Sequence, residues 1–434
     1  MDDRGNRPPC ERGDAEAVVR RLREKGHVAY FAGGCVRDLL LGLEPKDWDV
    51  ATDAPPARVR ELFSKTDAVG AAFGVILVRH GKSVVEVATF RSEGSYLDGR
   101  RPSEVRFTTA QEDAQRRDFT INGLFLDPLE DDRVIDFVGG QEDLAARRLR
   151  AIGDPSARFA EDHLRLLRAV RFAARFGLEI APSTAMAIEQ HAGLLKGISP
   201  ERIAEELRLM LIPPTRSVAW LLLWKFKLIH VVLRFLPLKD SLAINPSKSA
   251  FLATAPGAQI SFGLALASAV LDVELHQENQ VLAIVEKKNV NRIAKAVDKA
   301  LKLSNVEFDE MEQSLAGLAM VLGDAPTLAQ LKRFLARPTS GASRHLIDAL
   351  ERVGFYESNI GTLKKRIDEL NGVDVAPPPL ITGDDLTARG LNPGPKFKRI
   401  LDEVYDVQLE DRVKTKQEAM ELAMKIAAKR PASE

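Results

Sequence analysis

Two aspartates, Asp47 and Asp49, close the run GGCVRDLLLGLEPKDWD that spans residues 33–49. In an extended segment residues i and i+2 point to one face, so their carboxylates project side by side. Such a pair repels itself in water and makes sense when divalent cations sit between it and a nucleotide's phosphates. At the other end of the run, Gly33 and Gly34 open a turn whose backbone N–H groups can face a phosphate with no side chain in the way. Arg37 and Asp38 follow on a short predicted helix. A Gly-rich turn, a helix and then Asp-x-Asp is the layout of a metal-dependent nucleotidyl transferase.

Other charged groups extend this chemistry. Glu86, in VVEVATF, lies on a β-rich segment, and a hairpin can bring its carboxylate beside the Asp pair. In QRRDFTIN, Arg116 and Arg117 offer fixed forks suited to phosphate and ribose oxygens, with Asp118 and Asn122 close by in sequence. The run EDHLRLLRAVRF reads as one helix with Leu166, Leu167, Val170, Ala173 and Ala174 buried. Its opposite face would carry Glu161, Arg165, Arg168, Arg171 and Arg175. Asp162 stands three residues before Arg165, so the two could hold each other rigid and read a nucleobase edge. Near the C-terminus, Gly390, Gly394 and two prolines precede Lys396, Lys398 and Arg399, a helix start able to hold a nucleic-acid phosphate.

The elements that must position these groups change in kind along the chain. Residues 1–13 read as a disordered tail, and Ala15 to Lys25 as a helix. His27 to Phe31 reads as a strand entering the Gly turn. VILVRHG and KSVVEVATF form a hairpin about Gly81-Lys82. Short strands at Arg106–Thr108 and Val134–Phe137 complete a mixed α/β head over residues 14–150. After Asp154-Pro155 the periodicity is helical almost throughout, punctuated by prolines, with a linker at VDVAPPP (373–379). The chain has 434 residues, enough for several domains. Lys+Arg and Asp+Glu both total 62, so net charge gives no sign of nucleic-acid binding. The local balance does: Arg147, Arg148, Arg150, Arg158, Arg165, Arg168, Arg171 and Arg175 outnumber the acids around them.

Several classes are excluded. Two cysteines, Cys10 and Cys35, make neither a disulfide framework nor a zinc site, and a reducing cytoplasm is the default. The polar N-terminus is no secretory signal, and the most apolar stretch, 218–238, is broken by charges and reads as a buried helix. Trp220, Trp224 and Phe226 read as core. There is no HExxH and no His-Asp pair, so an appended metal phosphohydrolase is not expected.

Taken in order, GGCVRDLLLG…DWD, VEVATFRSEGSYLDGRRPSEV, RRDFTIN, IGDPSARFAEDHLRLLRAVRFAARFG and ISPERIAEELRLML resemble the class II tRNA nucleotidyltransferase and bacterial poly(A) polymerase family. The resemblance is dense from residue 28 to 211 and resumes at ITGDDLTARGLNPGPKF. It implies an α/β, polymerase-β-like head followed by an all-α neck (151–215), body (216–375) and RNA-binding tail (376–434). It implies Mg²⁺ on Asp47 and Asp49, and the triphosphate on Gly33, Gly34 and Arg37. Arg116, Arg117 and Asp118 would lie near the incoming sugar, with Asn122 also among the nucleotide-binding residues. Asp162 and Arg165 would read the base, with Arg168 close by, and Arg171, Arg175, Lys396 and Lys398 would meet RNA. Gly123 stands where Ala is more usual, and His163 where a small residue is.

Three activities fit such a site: addition of C, C and A to tRNA from CTP and ATP, addition of the terminal A alone, and polymerisation of A onto RNA 3′ ends. The full-length SEGSYLDGRRPS loop argues against a CC-only enzyme, and CCA addition is the first expectation. A non-catalytic RNA-binding relative would have no reason to keep Asp47, Asp49, Gly33 and Arg37 together.

Overall fold

The computed structural model describes residues 10–70, 74–93, 105–234, 238, 243–276, 287–322, 325–355 and 357–428. It divides into two compact units, one of residues 1–210 with 221–232 and the other of 211–220 with 233–434. The loop 94–104, which bears on the choice among activities, lies outside the described residues.

The first unit is built on a seven-stranded mixed sheet in the order β3-β4-β5-β2-β1-β8-β9. The strands are β1 (Ala29–Ala32), β2 (Val50–Thr52), β3 (Thr66–Gly70), β4 (Val75–His80), β5 (Ser83–Thr89), β8 (Leu124–Asp127) and β9 (Arg133–Asp136). The expected hairpin is present, with His80 paired to Ser83 across Gly81-Lys82. β2 runs antiparallel to β1 and parallel to β5. Helix α1 (Arg12–Glu24) packs on β1, β2 and β5, burying Ala15, Val18, Val19 and Leu22. The other face collects Ala32, Ala51, Phe90, Phe125 and Ala114, the last from α4 (Ala110–Gln115). Helices α2 (Gly34–Leu40) and α3 (Pro56–Leu62) follow β1 and β2, and α5 (Gly140–Ala145) follows β9. A small pair, β6 (Arg91–Glu93) with β7 (Val105–Phe107), stands apart from the main sheet.

Residues 10–13 are not part of a disordered tail. Cys10 is buried, the Glu11 N–H donates to Ser83 Oγ at 3.0 Å, and helix α1 already begins at Arg12. The Arg12 guanidinium lies over the Trp48 ring, 5.3 Å from its centroid, and this contact fastens the helix start to the sheet.

Beyond the sheet the chain is helical: α6 (Pro155–Glu161), α7 (Arg165–Phe176), α8 (Pro182–His191) and α9 (Pro200–Leu211). One strand pair interrupts this, β10 (Arg148–Leu149) running parallel to β11 (Glu179–Ile180). The apolar stretch 218–238 is not one helix. It holds the end of α10 (Arg216–Lys225) and then α11 (Ile229–Val232), separated where Lys227 adopts a positive φ of 55°. Trp224 and Phe226 are buried there, as expected.

In the second unit all the assigned elements among the described residues are helices. Arg216 is buried and donates to the carbonyls of Thr254, Ala255 and Ala258, and Trp220 Nε1 donates to buried Asp272 at 2.7 Å. The last three helices (383–388, 395–409, 416–428) share a core of Ile381, Leu386, Ile400, Val404, Ala419 and Met420. Arg333 and Lys332 tie this core's helices to the preceding ones through Asp406 and Asp411. No helix among the described residues is long and apolar enough to cross a membrane.

Candidate active site

The Asp pair lies on the extended approach to β2. Asp47 is exposed, Trp48 buried and Asp49 half-buried, the alternation expected of a strand. The Ala32 N–H donates to the Asp49 carbonyl at 3.0 Å, so β1 fixes this backbone before β2 formally begins. Val50 pairs with Val87, which sets Glu86 beside Asp49 in register and on the same sheet face. Glu86 is therefore brought alongside by the parallel β2–β5 pairing, not by the hairpin. Among the described residues no three His, Cys, Asp or Glu side chains converge closely enough to hold an ion, so Asp47 and Asp49 stand as a pair. The Asp47 carboxylate has no ion-pair partner among the described residues. A doubly acidic edge with one carboxylate uncompensated has the chemistry of a hard-cation site that completes its shell with substrate oxygens.

Gly33 caps α2 with φ of 71°, and Arg117 Nη1 occupies the space a β-carbon there would need, 2.7 Å away. Only glycine satisfies both demands. The turn and the second arginine of RRDFTIN thus meet. Arg116 and Arg117 are held by one buried carboxylate: Arg116 donates to Asp113 Oδ1 through Nε and Nη2 (2.9 and 2.6 Å), and Arg117 to Oδ2 in the same way (3.1 and 2.9 Å). Burial alone would raise the Asp113 carboxyl, but Arg117 and Arg116 bring it below its usual value. Asp113 was not among the expected residues, although its spacing of three and four to the arginines on a helix could have revealed it.

Arg37 is tied to its neighbours by several contacts. It is buried, with Nε and Nη2 on Asp38 (2.8 and 2.6 Å) and Nη1 on Asn122 Oδ1 (2.6 Å). Its guanidinium lies 4.3 Å from the Phe176 ring centroid and 5.3 Å from that of Phe172, both on α7. Nε, Nη1 and Nη2 each hold an acceptor, so Arg37 joins α2 to α7, while its Nη2 lies 3.6 Å from where a β-carbon on Gly34 would stand. Asn122 is drawn into the same network, since its Nδ2 donates to Asp118 at 3.0 Å. Asp118 also receives Arg168 through Nε and Nη2 (2.8 and 2.7 Å). Desolvation pushes the Asp118 carboxyl up, but Arg168, Asn122 and Arg165 hold it at about 2.

The expected single helix over 161–172 is two. Helix α6 ends at Glu161, Asp162 is its C-cap with φ of −134°, and α7 begins at Arg165. Asp162 Oδ1 accepts from the Leu164 N–H at 3.1 Å and from Arg202 at 3.4 Å. Asp162 and Arg165 therefore do not clasp each other through their side chains. Arg165 is buried and donates to Glu161 (2.8 Å), the Arg158 carbonyl and the Arg116 carbonyl (3.1 Å each). Arg171 is also removed from the surface role expected of it. It faces buried Glu206 across 2.9 Å, and desolvation brings its guanidinium down to about 10. Arg175 remains exposed, 3.9 Å from Asp38. In the second unit Lys396 and Lys398 are exposed on the first turn of the helix Pro395–Leu409, without ion-pair partners among the described residues.

Residues 29–150 match the family model of the poly A polymerase head domain, and residues 177–238 that of the probable RNA and SrmB- binding site of polymerase A. The CCA-adding enzyme of Bacillus pumilus is 47% identical over 195 residues, 45% of this chain and 48% of that protein. That of Limosilactobacillus fermentum is 44% identical over 205 residues, 47% and 51% of the two chains. The chain thus spans about half the length of the curated relatives it matches. In structure it resembles the Bacillus stearothermophilus CCA-adding enzyme crystallised with CTP, at a TM-score of 0.66 and 28% identity, over 95% of this chain and 97% of that one. The similarity to CCA-adding enzymes and poly A polymerases lies in residues 29–150 and 177–238.

Both departures from the usual family residues have a physical setting. A β-carbon on Gly123 would lie 2.8 Å from Val138 Cγ2 and 3.2 Å from Ile152 Cδ1, so Val138 fills the space an alanine would take. His163 lies in the turn between α6 and α7, not on a helix, and its Nδ1 is buried without a hydrogen-bond partner.

Proposed function

We propose that this chain transfers nucleotides, without a nucleic-acid template, to the 3′ end of RNA, adding CCA to tRNA from CTP and ATP with release of pyrophosphate. The observation that carries this reading is the paired Asp47–Asp49 edge, fixed by β1, on a head whose Gly33 turn receives Arg117. The names of the matched relatives support CCA addition over the alternatives.

Asp47 and Asp49 would hold Mg²⁺, which when bound sharpens a 3′-hydroxyl as a nucleophile and offsets charge on the leaving pyrophosphate. The chain's own groups do the rest. The backbone at Gly33-Gly34 admits phosphate oxygens closely, and the Asp113-held Arg117 presents positive charge there in a fixed orientation. Asp118, ionised well below neutral pH, aims Arg168 into the site. Asp162 Oδ2 has no partner among the described residues and can accept a hydrogen bond from an exocyclic amino group. Cytosine and adenine both carry one, whereas guanine O6 and uracil O4 are acceptors that would face a carboxylate. One acceptor thus serves both CTP and ATP. Arg175 and the tail lysines supply charge for the RNA backbone.

The test is 3′-end extension of tRNA lacking CCA, with Mg²⁺ and each nucleotide singly and together. Two C and one A followed by a stop is the expected product. An unlimited A ladder on tRNA and unstructured RNA alike would replace the reading with poly(A) polymerisation, which the head-domain match favours as second choice.

A further inference from the structure

The basic run from Arg147 to Arg175 is only partly used by the reaction just described: Arg150 and Arg158 have no part in it. They face a cavity of about 360 Å³ with Phe137, Val138, Ile152 and Gln115. Phe137 leaves 41% of its surface exposed, an unusual position for a phenylalanine. Val138 and Ile152 add an apolar floor. Three polar groups at the cavity are unspent. Arg158 Nε is buried without a hydrogen-bond partner. Arg150 commits Nε to Asp143 (2.8 Å) and Nη2 to the Val138 carbonyl (3.4 Å), leaving Nη1. The Gln115 amide, exposed at the end of α4, has no partner among the described residues. A second cavity, of about 460 Å³, also has Arg150 in its lining, with Arg148 and Ser183.

We propose that this cavity is a subsite for one unpaired nucleotide of the RNA, upstream of its reacting end. The base stacks on Phe137, its edge meets Gln115, and its phosphate lies between Arg150 and Arg158. An aromatic ring beside two guanidinium groups is how proteins hold single-stranded RNA, the ring taking any base and the arginines tracking the backbone. The amide, donor and acceptor at once, suits a base edge better than it suits a peptide or a lipid surface. The position is linked to the reaction site by a short path. Arg158 Nη1 and Arg165 Nη1 share Glu161 Oε2, at 2.9 and 2.8 Å. A nucleotide seated on Arg158 is therefore one carboxylate away from Arg165.

This proposal rests on the RNA 3′-end reading, and its test separates the two. Binding of 5′-labelled tRNA lacking CCA to the full chain is followed by fluorescence anisotropy, beside extension kinetics. Loss of the ring in Phe137→Ala should raise the Kd about tenfold, the scale of one lost base–aromatic stack. Phe137→Tyr should bind as the unsubstituted protein does. Arg150→Gln should reduce the salt dependence of binding by about one phosphate contact. KM for RNA should rise in Phe137→Ala while KM for CTP stays put. Unchanged RNA affinity in both Phe137→Ala and Arg150→Gln overturns the subsite while extension by the unsubstituted chain still stands. Equal loss in Phe137→Ala and Phe137→Tyr also overturns it, since the ring's packing and not its stacking would then be at stake. If the unsubstituted chain extends no RNA, the reaction reading fails, and the anisotropy series alone decides the cavity.

Discussion

The acidic edge before β2 and the arginine seam between α2, α4 and α7 are built by opposite means. Asp47 is exposed and unpaired, its direction set by backbone pairing with β1 and by the burial of Trp48 between the two acids. Arg37 and Arg168 are each tied by two bonds, to Asp38 and Asp118, and lie over the Phe172 ring, while Arg165 is held by Glu161 and two backbone carbonyls. Charge meant to meet a ligand is left open on a rigid strand. Charge meant to place other groups is enclosed, because a buried guanidinium is tolerated only when its donors are satisfied. The difference separates residues whose loss removes chemistry from residues whose loss removes shape.

Substitutions at the two regions should therefore fail differently. Asp47→Asn or Asp49→Asn should lower the extension rate at least about a thousandfold, the scale of several kcal/mol of lost metal-assisted stabilisation. Their melting temperatures should stay near the starting value; a joint loss of fold and activity would erase the distinction. Arg37→Ala should instead cost about 3 kcal/mol in urea unfolding, because it leaves the Asp38 carboxylate buried beside two exposed ring faces. Asp162→Ala should relax the choice between CTP or ATP and the other nucleotides by roughly tenfold to a hundredfold, read from single-nucleotide incorporation.

Acid sharpens the comparison further. The folded Asp118 carboxyl sits at about 2, below its ordinary 3.8. Its contribution to stability is fully present above pH ~4 and is lost as pH falls toward ~2, amounting to about 2 kcal/mol. Asp118→Asn should flatten that part of the stability–pH curve, measured by denaturant unfolding between pH 5 and the acid limit of folding. The smallest effect belongs to the tail: Lys396→Gln and Lys398→Gln should each reduce the slope of log affinity for tRNA against log salt by about one.

Much of the head was legible because its signals are local. Alternation about Trp48, the Gly81-Lys82 hairpin and the Gly33 turn each follow from a few neighbouring residues. The break between α6 and α7 was not read, since apolar spacing continues through Leu164 into Leu166 and Leu167 and no Gly or Pro intervenes. A signal is present all the same: an Asp whose side chain accepts the N–H two residues on, as Asp162 does from Leu164, favours a turn over a helix interior. The roles of Arg37 and Arg171 depend on partners 85 and 35 positions away, Asn122 and Glu206, which no periodicity reports. Sequence gives the type of a charged group far more readily than its exposure.

Gly123 and Val138 illustrate a constraint of another kind. The methyl group missing at 123 has been taken up by a branched side chain 15 positions later, and Cγ2 of Val138 would stand 2.8 Å from it were it restored. Valine's χ1 is stiff, so Gly123→Ala alone would crowd Ile152 and Val138 together. Alanine at 123 becomes spacious only once 138 carries a smaller side chain, so what one position can hold is set by the other.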